Sequence, residues 1–149
     1  MATDTLDHID KLIETCRDGQ EGYREAAEHT KDPDLRKFFD LQSLERARFA
    51  GELENIARRL GESNPNRRPS MANKLHRAWI NLKEKLGAGD ASILESVEAG
   101  EDKARNTYQE VLQSGLPADV FAIVEQQAQF VFAAHDRVRT LRDEYKKAA

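Results

Sequence analysis

The chain has 149 residues, enough for one domain around one core. With 34% charged residues, 39% hydrophobic residues, 4 prolines and a net charge of −4, it has the profile of a soluble, helical, globular domain. No lysine- or arginine-rich block supplies the clustered basic surface that nucleic acid requires, and no apolar run approaches the ~20 residues that span a bilayer.

The opening MATDTLDHID is polar and acidic, so no signal peptide is expected there. Leu6, Ile9, Ile13, Cys16, Gln20, Tyr23, Ala27 and Thr30 then step by three and four, which predicts a first helix over 5–31 with Asp4 or Thr5 at its cap. Cys16 is the lone cysteine and lies on this stripe, where it reads as a buried small hydrophobe. Within the same helix, Gly19-Gln20-Glu21-Gly22 interrupts the apolar pattern. KDPD breaks the chain, and Pro33 suits the first turn of the next helix. Leu35, Phe38, Gln42, Glu45, Phe49, Glu52 or Leu53, Ile56 and Leu60 predict a second helix over 34–60, stopped by Gly61. After the loop ESNPNRRPS, a shorter helix is predicted over 71–86, with Leu75, Trp79 or Ala78, Leu82 and Leu86 on one face. Asp90 is placed to cap a third long helix over 90–115, carrying Leu94, Val97, Glu101, Ala104, Tyr108 and Val111. The fourth, over 118–147, carries Val120, Val124, Gln127, Val131, Ala134, Val138, Leu141 and Tyr145. No strand pattern appears.

Short turns join the first two long helices and the last two, so each pair is an antiparallel hairpin. About 30 residues separate the hairpins, a length that suits a crossover along the outside of the bundle. This all-α arrangement, two hairpins and one long crossover with a short fifth helix, is the ferritin-like order. In antiparallel hairpins, residues of constant index sum lie level. That places Gln20 opposite Glu45 with Gln42 a turn away, and Glu101 near Val131 with Gln127 a turn away. Each long helix then delivers a polar residue near mid-length: a polar core layer of Gln20, Gln42, Glu45, Glu101 and Gln127. Buried carboxylates cost several kcal/mol unless paired or coordinated, so the layer is either a hydrogen-bonded register device or a ligand set. Arg24 and Arg105, each four residues after a layer member, are candidates to neutralise it. On the register reading, Glu101→Gln is expected to be neutral or slightly stabilising.

The stretches LIETCRDGQEGYREAAE, LHRAW, EAGEDKARNTYQEVL and HDRVRTL resemble the ferritin-like superfamily and its rubrerythrin-type domains, and more closely a family of bacterial four-helix-bundle proteins of unassigned function. The resemblance implies a di-iron pattern: one Glu on helices one and three, and Glu-x-x-His on helices two and four. Laid on this chain, the pattern falls on Gln20, near Glu45, on Glu101, and near Val131 and Ala134, with His135 one position away. The metal candidates are therefore Glu45, Glu101 and His135, with iron or manganese as the metal. Glutamine at former carboxylate positions removes the charge that holds iron, and the second helix has no histidine.

His135-Asp136 is the best conventional reactive pair, although consecutive helical residues do not face each other. His76 beside Trp79 reads as packing, His8 and His29 as solvated, and Arg67-Arg68 as too small an anion site. Phosphate loops, nucleophile triads and zinc spacings are absent. Phe130 and Phe132 cannot both face one core. Phe132 is expected against the crossover helix through Trp79, with a homodimer contact as the alternative. The functional expectation is a cytoplasmic, non-catalytic bundle with a degenerate di-metal site, stress-related or an assembly partner. The alternative is a metal-binding or redox protein using an altered set of Glu45, Glu98, Glu101 and His135.

Overall fold

The computed structural model describes residues 2–63 and 88–148, which form four α-helices: α1 Ala2–His29, α2 Pro33–Arg59, α3 Asp90–Leu112 and α4 Ala118–Ala148. No strand occurs among the described residues, and no described helix is long and apolar enough to cross a membrane. The short helix expected over 71–86, with His76 and Trp79, and the Arg67-Arg68 pair lie outside the described residues.

α1 is already helical at Ala2, so Asp4 sits in its first turn, where a negative charge complements the helix dipole, rather than at a cap. α2 opens as its sequence requires. Asp32 is the N-cap, its carboxylate accepts from the Asp34 amide at 2.9 Å, and Pro33 occupies the first turn. Gly61 closes α2 with φ +103°, a conformation that a Cβ would disfavour.

Contacts across the bundle fix the helix directions. α1 is antiparallel to α2, with Ser43 Oγ donating to the Gln20 carbonyl at 2.9 Å and Arg17 paired to Glu54 at 2.8 Å. α1 is also antiparallel to α3, where Cys16 meets Tyr108 at 3.1 Å and Thr30 meets Asp90 at 2.8 Å. α3 is antiparallel to α4 through Tyr108–Gln127 and Glu98–Arg142. Hence α2 and α3 run parallel, and Arg59 and Asp90 lie at opposite ends of the bundle. The α2–α4 contact is slight by comparison, built around Phe49, Glu52 and Gln127.

The core divides into two apolar clusters. The larger joins Ile9, Leu12, Ile13 and Cys16 to Phe49, Leu53 and Ile56, to Tyr108 and Val111, and to Val124 and Val131. The smaller joins Tyr23 and Ala27 to Leu35 and Phe39, to Ile93 and Val97, and to Val138 and Leu141. Phe132 packs, half-buried, against the larger cluster, while Phe130 meets the edge of Phe49 at 5.9 Å and remains 52% exposed.

Asp90 differs from its expected role. The N-cap of α3 is Gly89, with no side-chain cap bond, and the Asp90 carboxylate reaches across to the α1–α2 turn. It accepts from Thr30 Oγ1 at 2.8 Å, the Lys31 amide at 3.0 Å and the Asp32 amide at 3.2 Å. From the end of α4, the Tyr145 hydroxyl donates to Asp32. One end of the bundle is thereby tied through three elements.

The Tyr145 hydrogen bond and then the Asp34 amide hold the Asp32 carboxyl below its ordinary value of 3.8. A depressed carboxyl contributes stability above its unfolded value, and that contribution is lost as pH falls through the folded value. Tyr145→Phe is expected to lower stability at pH 7, with the gap to wild type narrowing below pH 3.8. Urea titrations at a series of pH values measure this.

Candidate functional site

Between the two apolar clusters lies one polar level, built on Arg46 of α2 and Glu101 of α3. Arg46 Nη2 donates to Glu101 Oε2 at 2.6 Å, and the two side chains are 1% and 0% exposed. Burial is the largest influence on Arg46 and lowers its value, but the Glu101 carboxylate together with Tyr23 and Cys16 outweighs it, and the guanidinium stays charged. The guanidinium also lies 5.4 Å from the centre of the Tyr23 ring, in cation–π contact. Burial, and then the adjacent Glu101 charge, push the Tyr23 phenol well above its usual range. Arg46 Nη1 is buried and has no acceptor among the described residues.

This level explains Gly19 of α1. A Cβ at Gly19 would lie 3.0 Å from Arg46 Nη1 and 3.4 Å from its Cγ. The helix gives up ~1 kcal/mol of propensity there to let the arginine pass. The residue that α1 presents to the core is therefore Gly19, and Gln20 is turned toward the helix surface, where its Oε1 accepts from Arg17 at 3.0 Å.

A second polar chain runs through the larger cluster. The Cys16 thiol and Tyr108 hydroxyl meet at 3.1 Å, and Tyr108 donates to Gln127 Oε1 at 2.8 Å. Gln127 Nε2 in turn donates to Glu52 Oε1 at 2.9 Å and to the Phe49 carbonyl at 3.3 Å. At the level of the ion pair, α4 contributes His135, 1% exposed. Its Nε2 faces Asp102 at 2.6 Å and Arg105 at 3.2 Å, and its Nδ1 faces Asp136 at 3.1 Å.

The residues proposed from sequence do not converge. Glu101 and Gln127 are buried, but Gln127 belongs to the Cys16–Tyr108 chain, apart from Glu101. Gln42 is half-buried. Glu45 points outward and pairs with Arg48 at 2.6 Å, because the next residue, Arg46, takes the core position. Glu98 is held by Arg142. Arg24 bridges Glu21 and Glu28 along the surface of α1, and Arg105 meets His135, so neither neutralises Glu101.

Arg46 is the functional residue that sequence reasoning missed. It fits the series Leu35, Phe39, Gln42, Arg46, Phe49, Leu53, Ile56 at helical spacing, and Gly19 lies level with it. A large side chain opposite a glycine was the legible signal.

A di-metal centre needs carboxylates from several helices to converge on shared cations. Among the described residues the one carboxylate with no exposure, Glu101, faces a guanidinium, so the donor set does not fit that centre. Among the described residues, three potential ligands come close together only at Glu25, Glu28 and His29, at the end of α1. That trio is away from the core, and its members are engaged with Arg24 and the backbone.

The class so defined is a helical protein whose described residues form four α-helices around an ion-paired core. The model of the family described as a domain of unknown function (DUF2383) matches residues 4–114, covering α1, α2 and α3, and the chain belongs to that family. No curated protein matches the chain.

The ion pair reverses the expectation for Glu101→Gln. Removing the carboxylate's charge leaves Arg46 buried and uncompensated, which should destabilise the fold by about 3–5 kcal/mol. The double variant Arg46→Met/Glu101→Leu removes both charges and should be neutral or more stable by about 1–4 kcal/mol. Chemical denaturation of the three proteins checks both values.

Burial pushes the Cys16 thiol up to about 11, against an ordinary 9.0. Its contribution to stability is intact below pH 9.0 and is lost as pH rises through the folded value. A disulfide reagent at pH 8 should leave native protein unlabelled and should modify one thiol per chain in urea, as absorbance of the released thiolate reports.

Proposed function

We propose that the protein is a ferritin-like four-helix bundle whose di-metal position has been taken over by an internal salt bridge, and that it works in the cytoplasm as a non-catalytic binding or assembly protein. The helix directions support the ferritin-like assignment: two antiparallel hairpins, with α2 parallel to α3 and the segment 60–89 between them. One observation carries the functional reading. Arg46 holds the buried carboxylate that a metal would need, at 2.6 Å and out of reach of solvent. A fixed positive charge beside Glu101 opposes cation binding by direct repulsion.

The remaining reactive groups support a non-catalytic role. The Cys16 thiol is buried and protonated at neutral pH, so it lacks the thiolate that nucleophilic or redox chemistry uses. The His135 ring is buried and contacts Asp102, Arg105 and Asp136.

Metal analysis tests this reading against an altered ligand set of Glu45, Glu98, Glu101 and His135. Protein purified without chelator should contain iron and manganese far below one ion per chain. Added iron(II) or manganese(II) should leave the melting temperature unchanged, because only a ligand that binds the native state raises it. Stoichiometric metal in the wild type that disappears in Glu101→Gln would overturn the proposal.

A further inference from the structure

The outer face of α2 carries apolar residues that the described bundle does not cover. Leu41 is 56% exposed and Leu44 69% exposed, the two most exposed large aliphatic residues among those described. Leu44 is nine residues from buried Leu53, which at 100° per residue places it on the opposite side of the helix. Gly51 shares this face, and no atom lies within 4 Å of where its Cβ would be. Unlike Gly19, it makes room for no side chain among the described residues, yet it weakens the middle of a helix by ~1 kcal/mol.

The charges around Leu44 are arranged symmetrically with opposite sign. Asp40 lies four residues before it and Arg48 four after, and Leu41 and Ala47 flank it at three residues on either side. Laid antiparallel on itself about Leu44, α2 sets Asp40 of one protomer opposite Arg48 of its partner, twice. Leu41 falls against Ala47, and Lys37 crosses at Gly51, where the missing side chain leaves space for its stem.

We propose that a second copy of this chain docks here, forming an antiparallel α2–α2 homodimer with Leu44 on the two-fold axis. An isologous contact of this kind needs the self-complementary pattern that Asp40, Leu44 and Arg48 supply. The inference is independent of the core reading, since this face lies opposite Arg46. A single helix pair buries less than the ~800 Å² per partner of a standard interface, so the dimer dissociates in the micromolar range. Arg48 also bonds Glu45 and Glu52 within its own helix, but such exposed pairs are weak enough to exchange partners.

Sedimentation velocity across a concentration series, up to about 100 µM, tests the dimer. Wild type should pass from monomer to dimer. Leu44→Asp should raise the dissociation constant by more than about tenfold, with helicity by circular dichroism unchanged because Leu44 is exposed. Asp40→Arg and Arg48→Asp should each weaken the homodimer through like-charge contacts, and mixing the two variants should restore dimers that neither forms alone. Wild type that stays monomeric at the highest concentration overturns the proposal. So does a dimer that tolerates Leu44→Asp, or a pair of charge variants that do not recover on mixing.

Discussion

The Arg46–Glu101 ion pair spans a diagonal of the bundle. α2 and α3 lie on opposite sides of it, and their backbones do not approach one another directly. Only two long side chains meeting tip to tip close that distance, so the pair requires an arginine on one helix and a glutamate on the other. Its passage also requires a glycine on α1 and an aromatic face on Tyr23. The two apolar clusters on either side are consequences of it, because no hydrophobic packing continues through the charged level. A buried pair of this kind contributes little net stability against the desolvation of two ions. What it supplies is discrimination: sliding α2 or α3 by one turn would part the two charges and leave each buried without its partner.

One end of the bundle uses a different device. Asp90 turns away from its own helix start and accepts from Thr30, Lys31 and Asp32, while Tyr145 closes on Asp32 from α4. These bonds join the start of α3 to the turn between α1 and α2, which are distant in sequence. The Cys16–Tyr108–Gln127–Glu52 chain links all four helices within the larger cluster. Three polar assemblies therefore fix the register of a bundle whose apolar stripes alone would tolerate slippage.

The same arrangement bears on function. A carboxylate neutralised by a neighbouring guanidinium has no charge left for a cation, and a protonated, buried thiol offers no nucleophile. What the described surface does present is an apolar ridge on α2 set among opposite charges. Both groups face inward, whereas the two exposed leucines of α2 face outward.

The sequence by itself determined the four long helices, the hairpin pairs and the burial of Glu101, because helical periodicity and short turns are local properties of the chain. It also placed polar residues inside the bundle. Which ones was decided elsewhere. At the mid-levels of α1 and α2, adjacent residues compete for the same inward position, and a rotation of 100° separates Gln20 from Gly19 and Glu45 from Arg46. Periodicity alone favoured Gln20 and Glu45, since a glycine shows no side chain to the pattern and an arginine on an apolar stripe is normally solvated. Only the tertiary structure sets Glu101 across from α2, and a buried carboxylate selects the cation over another acid. Asp90 followed the same logic: its sequence position marks a helix start, but the α1–α2 turn offered unpaired donors that exist only once the hairpins have met.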